Sequence, residues 1–145
     1  MTQFQFHLVL PVFALVLLTF LVLLTLGRSR FKAIKSRRFD LSYYKLYRGN
    51  DEPDDIRQIS RNLVNLFETP VIFYLGIILA ILLGVEQSVL IYLAWIYVAL
   101  RYLHSFIHCT SNKVRLRFNI YLISVVFLIG FWVMLFVALL SQPLA

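Results

Sequence analysis

The chain has 145 residues, 61% hydrophobic and only 14% charged, with a formal net charge of +7. Soluble domains carry roughly a quarter charged residues, so a soluble globular protein is excluded, and the long apolar blocks leave no room for a separate soluble domain. The basic surplus does not call for nucleic acid: apart from Arg101 it lies in stretches beside the apolar blocks, where anionic headgroups suffice to attract it.

A helix that crosses the bilayer core needs about 20 apolar residues. The first block, about 6–27, meets that length. Its start, MTQFQFHLVL, has no positive n-region and no A-x-A site follows, so it reads as a retained span rather than a cleaved signal peptide. Pro11 sits in its first turns, where a missing N–H matters least, and His7 reads as an interfacial residue. The segment 28–55 alternates cations with Phe31, Phe39, Tyr43, Tyr44 and Tyr47. It is expected to be a connector lying at the headgroup boundary, with a lid over a site as the second reading.

The run NDEPDD announces the next helix, because Pro suits a first helical turn and acidic residues favour the positive end of the helix dipole. That helix is expected to start near 54, to cross the membrane over about 63–83, to kink near 66–70 at Pro70 and to end at Gly84. The third span, about 88–108, is apolar until Arg101. The fourth, about 117–140, carries Ser124 and Gly130 as small positions that suit close helix contact. The whole chain, 1–145, is thus expected to be one all-α integral membrane domain of four spans.

Ten of the 14 Lys and Arg residues lie between Arg28 and Arg61, and the remaining four are Arg101, Lys113, Arg115 and Arg117. The N-terminal tail, the turn GVEQS and the C-terminal tail carry none. Basic loops stay in the cytoplasm, so both termini are expected outside it. The single cysteine, Cys109, forms no intrachain disulfide.

Polar residues within the apolar helices are costly and therefore informative. On one continuous helix, Arg57, Arg61, Asn65 and Glu68 would fall within an arc of roughly 80° at about 100° per residue. By the same geometry Tyr97, Arg101, His104 and His108 fall within roughly 60° on the third span. Glu68 and Arg101 lie at similar depths with opposite charge, which predicts a contact between them, within one chain or across subunits. Two facing stripes also suit a polar seam that merely holds helices together, but a seam needs one or two such groups. Here Arg57, Arg61, Arg101 and Arg117 outnumber Glu68, and the surplus suits an anionic guest. His104, His108 and Cys109 offer two ring nitrogens and a thiol, yet Cys109 points about 100° away from His108, and no metal site is expected.

With those residues in place, the string RNLVNLFETP (61–70) resembles the second-helix motif of the MAPEG superfamily, the membrane-associated proteins in eicosanoid and glutathione metabolism. RYLH (101–104) resembles its third-helix Arg-x-x-His, and NLFETPVIFY with RYLHSFIHCTSNKVRLRF looks like the unassigned bacterial branch. The likeness spans essentially the whole chain. It implies a left-handed four-helix bundle, a homotrimer in a bacterial inner membrane, and sites between subunits near the cytoplasmic face. It implies glutathione as co-substrate, held by Arg57, Arg61, Asn65, Glu68, Arg101, His104 and His108. Arg117, thirteen residues after His104 as in the prostaglandin-synthase branch, would steady the thiolate. Where eukaryotic members often have Tyr, this chain has His108. The implied activity is a glutathione-dependent transferase or peroxidase acting on lipophilic electrophiles. The alternative is a non-enzymatic protein of the same fold that binds a lipid or a protein partner.

Overall fold

The computed structural model describes residues 1–38, 40, 42–46 and 52–142. Helix α1 runs Gln3–Lys35, α2 Tyr43–Leu46, α3 Asp54–Asn65, α4 Thr69–Leu82, α5 Ser88–Cys109 and α6 Val114–Leu140. Among the described residues four helical segments are long and apolar enough to cross a membrane: α1, α3 with α4, α5 and α6. The protein is therefore an all-α, multi-pass membrane protein. Its helices pass alternately up and down, and α5 packs most extensively on α6, with α1 against α5 and α3.

The core is built from one stripe per helix. In α1 the buried residues are Leu8, Pro11, Leu15, Leu18, Val22 and Leu26, and in α6 they are Ile120, Ser124, Leu128, Phe131, Leu135 and Ala138. These spacings of three and four keep one face inward. The opposite faces stay apolar too, with Phe13, Phe20, Val126 and Phe136 among the exposed residues, as a helix facing acyl chains requires.

Each element begins and ends for a local reason. Thr2 caps α1 through a capping box with Gln5: Gln5 N–H donates to Thr2 Oγ1 at 3.2 Å and Thr2 N–H to Gln5 Oε1 at 3.0 Å. At the end of α4, Gly84 adopts φ +64°, Val85 N–H donates to Ala80 O at 2.9 Å and Gly84 N–H to Ile81 O at 3.2 Å. This is a Schellman closure, which needs the left-handed conformation glycine supplies cheaply. Pro53 precedes α3, and Asp54 and Asp55 fill its first turn.

The chain does not run straight from α3 to α4. Leu66–Glu68 break the helix, and Glu68 has φ −94° and ψ −96° at the N-cap of α4. Pro70 follows at the start of α4 and has no N–H to donate to Leu66 O. The expected kink is thus a full interruption, and Glu68 leaves the stripe made by Arg57, Arg61 and Asn65.

Thr2 Oγ1 donates to Glu86 Oε1 at 2.8 Å and Gln142 Nε2 to Leu83 O at 3.3 Å. Both tails therefore share one end of the bundle with the α4–α5 turn, and the basic segments share the other. At that basic end α1 extends to Lys35, past the expected boundary, because Ala33 and Ile34 pack with Ile56 and Ile59 of α3. Tyr43 and Tyr44 join this small core, so the connector folds back onto its own helices. Phe39 and Tyr47 lie outside the described residues. Gly130 is not the close-approach point: a Cβ there would meet only Leu93 at 3.9 Å. That place belongs to Gly76, where a Cβ would sit 2.9 Å from the Phe131 ring.

Candidate functional site

The polar groups gather at the basic end, between α3, α5 and the start of α6. The break after Asn65 matters first. It leaves the Asn65 carbonyl without its usual donor four residues on, and Arg101 Nη2 donates to it at 3.0 Å. Arg101 is fully buried on α5, with its guanidinium 5.5 Å from the Tyr121 ring centroid on α6. Its Nε and Nη1 have no hydrogen-bond partner among the described residues.

One turn along α5, His104 Nδ1 meets Arg117 O at 3.0 Å. A carbonyl only accepts, so that nitrogen carries the proton and the buried Nε2, which has no partner among the described residues, is left as an acceptor. The next turn brings His108, whose Nε2 lies 2.9 Å from Arg117 Nη1. Guanidinium only donates, so His108 Nε2 accepts and the proton resides on the buried Nδ1. Arg117 Nη1 also donates to Asn112 Oδ1. Asn112 takes φ +47° and its N–H closes the end of α5 on Ile107 O at 2.8 Å. The turn that ends α5 thereby aims Arg117 of α6.

Two cavities flank Arg117. One, of about 340 Å³, is lined by Asp54, Arg57, Arg61, His108, Asn112 and Arg117. The other, of about 310 Å³, is lined by Asn65, His104, His108, Arg117, Phe118 and Tyr121. Arg117 and His108 stand in both. Arg57 is held by Asp54 at 3.5 Å and by Glu52 O at 3.1 Å. Arg61 is exposed.

Seven of the eight residues singled out in the sequence, Arg57, Arg61, Asn65, Arg101, His104, His108 and Arg117, therefore lie at the basic end of the bundle. Glu68 does not join them. It is exposed beyond the helix break, lines neither cavity and makes no ion pair with Arg101 among the described residues. The expected Glu68–Arg101 ion pair does not form within the chain: the break leaves Glu68 exposed, and its charge acts on Arg101 only at a distance.

Sequence reasoning missed three supports. Gln58 Nε2 donates to His108 O and fixes α3 against the end of α5. Asn62, fully buried, donates to Cys109 Sγ at 3.3 Å and accepts from Ser105 Oγ at 3.2 Å. Asn112 holds Arg117. The spacing of Gln58, Asn62 and Asn65 was a usable signal, since they share one helix face, but α3 carries polar residues on every side except that of Ile56, Ile59 and Leu63, and this hid it.

The sequence model described as MAPEG family matches residues 8–137. No curated protein and no solved structure matches the chain.

Proposed function

The chain belongs to the MAPEG family, and from that premise we propose that it catalyses glutathione-dependent conjugation or reduction of a lipophilic electrophile or peroxide at its basic end. The observation that carries this reading is Arg101: a buried guanidinium packed behind Asn65 and Tyr121, two residues of the second cavity's lining, with two nitrogens unpartnered among the described residues. A buried cation of this kind is costly unless an anion completes it, and glutathione is an anionic tripeptide.

In this proposal Arg57 and Arg61 draw in the carboxylates at the mouth, while Asn65, Arg101, His104 and His108 bind deeper. Arg117, between the two cavities, steadies the thiolate. Free thiols titrate near 8.5, so a fixed cation raises the fraction of reactive thiolate. The thiolate sulfur then forms the new bond to the electrophile, which arrives from the bilayer. The electron pair of the bond that breaks leaves with the departing group, which takes up a proton. With a peroxide the sulfur takes the terminal oxygen as the O–O bond breaks, the alcohol leaves, and a second glutathione displaces water to give the disulfide. Glu68 would contribute only to the site of a neighbouring copy, in keeping with a homotrimer whose sites lie between subunits.

One observation favours a second reading. Arg117 Nη1 already serves both His108 and Asn112, so a site that binds without activating is the alternative: a non-enzymatic protein of this fold that holds a lipid or a protein partner. Titration of the purified protein with glutathione, watching thiolate absorbance and then adding a generic electrophile, separates the two. Thiolate formation with turnover supports the enzyme, and binding without either supports the alternative. If glutathione does not bind, the proposal fails.

A further inference from the structure

A second concave surface lies on the other side of α5. Leu18, Leu21 and Thr25 of α1 face Tyr102, Phe106 and Cys109 of α5 across a groove of about 250 Å³. Its polar groups are all turned to the chain itself. Thr25 Oγ1 donates to Leu21 O at 2.7 Å, Tyr102 Oη donates to Ala14 O at 2.7 Å, and Cys109 Sγ accepts from Asn62 at 3.3 Å. The groove therefore offers an occupant apolar surface and no free hydrogen-bonding group.

What stands at its basic mouth differs. Arg28 and Lys32 follow Thr25 by three and seven residues, so they project from the same side of α1 within about 60°. Both are exposed, and neither has an ion-pair partner among the described residues. Arg28 is the first charged residue after the apolar run of α1, the position where a spanning helix meets the headgroups. An apolar groove that runs into two unpaired cations at that height matches one kind of molecule.

We propose that the α1–α5 groove, with Arg28 and Lys32 at its mouth, binds an anionic phospholipid, one acyl chain in the groove and the phosphate on the two cations. The site is separate from the polar cavities around Arg117, and the proposal does not depend on glutathione chemistry. Basic residues near the surface each strengthen binding of anionic lipid by about fivefold, so the pair accounts for roughly a 30-fold preference.

Native mass spectrometry of the detergent-purified protein, offered phosphatidylglycerol and phosphatidylcholine of equal chain length, tests the site. The parent should retain phosphatidylglycerol preferentially, and glycerol phosphate, which lacks the chains, should not displace it. Arg28→Gln with Lys32→Gln should reduce the preference about 30-fold, while Arg115→Gln, on α6, should leave it intact. Leu21→Trp should block the groove and lower retention of both lipids without changing thermal unfolding in lipid-free detergent. Equal retention of the two lipids by the parent would overturn the proposal. So would an unchanged preference in the double variant. A Leu21→Trp protein that retained lipid but changed its oligomeric state would also overturn it, because a second copy of the chain would then be the occupant.

Discussion

Arg101 is poorly placed for stability, and the proposed function gives its position a reason. Its guanidinium is fully buried and one nitrogen reaches Asn65 O, while Nε and Nη1 have no partner among the described residues. Replacing a buried, incompletely satisfied charge by an apolar side chain of similar volume is often neutral or stabilising. Arg101→Met is therefore expected to leave the unfolding midpoint unchanged or raised, while weakening glutathione binding at least about tenfold, the loss of one charge-assisted hydrogen bond. Thermal unfolding and titration calorimetry on the same preparation read both. A large loss of stability would instead mark Arg101 as a structural post. At this scale the spacing of Arg101, His104 and His108 was legible in the sequence, because polar groups stand out on an apolar helix. Asn112 was not, since its role depends on a left-handed turn and on where α6 begins, and neither leaves a mark in residue type alone.

Between helices, close approach decides stability. Gly76 on α4 faces α6, and an added Cβ would lie 2.9 Å from Phe131 Cε1 and 3.4 Å from Trp132 Cε2. Phe131 is buried and also packs edge-on against Phe73 at 6.2 Å between centroids, so its ring has little room to give. Gly76→Ala should cost about 1–3 kcal/mol through overpacking, measured as a fall in the denaturation midpoint, whereas Gly130→Ala, whose added methyl would make an ordinary contact with Leu93 at 3.9 Å, should stay near neutral. The sequence pointed to Gly130 because periodicity ranks no face of an all-apolar helix above another. The connector gives a second case. Glu52, buried, accepts from Arg30 Nε at 2.8 Å and from Tyr44 Oη at 2.9 Å, and Arg30 lies 5.0 Å over the Tyr44 ring. Burial, and then the hydrogen bond to Glu52, push the Tyr44 phenol up to about 12. A phenol whose folded value is raised adds stability that is complete below the ordinary value of 10.0 and is lost as the pH climbs through about 12. In a tyrosinate absorbance titration, the last phenol outside the membrane to ionise should vanish in Tyr44→Phe. Survival of that late step in the variant would place it on another tyrosine. The sequence showed the aromatic and basic alternation here, but not that Glu52 would fasten it to α1.

For the whole molecule, the four spans were legible from length and apolarity, and the fold was legible with them. Which stripe of each span faces inward was not, because Leu15 and Leu17, or Leu128 and Ile129, differ in burial and hardly in chemistry. Charge does what apolar periodicity cannot: it orients the bundle. Both tails meet the α4–α5 turn at the end that carries no Lys or Arg, through Thr2 with Glu86 and Gln142 with Leu83. The positive-inside rule then predicts that this end lies outside the cytoplasm and that the cavities around Arg117 open inward. Cysteine labelling tests it cleanly, since Cys109 is the chain's single cysteine and Cys109→Ser provides a blank background. In intact cells of a bacterial host, cysteines introduced by Thr2→Cys and Gln142→Cys should react with a membrane-impermeant maleimide. One introduced by Ser36→Cys or Ser111→Cys should react only after permeabilisation. The reverse pattern would turn the cationic end away from the reduced thiol pool of the cytoplasm. It would then remove glutathione as the anion proposed for Arg101, while leaving the fold and the family untouched.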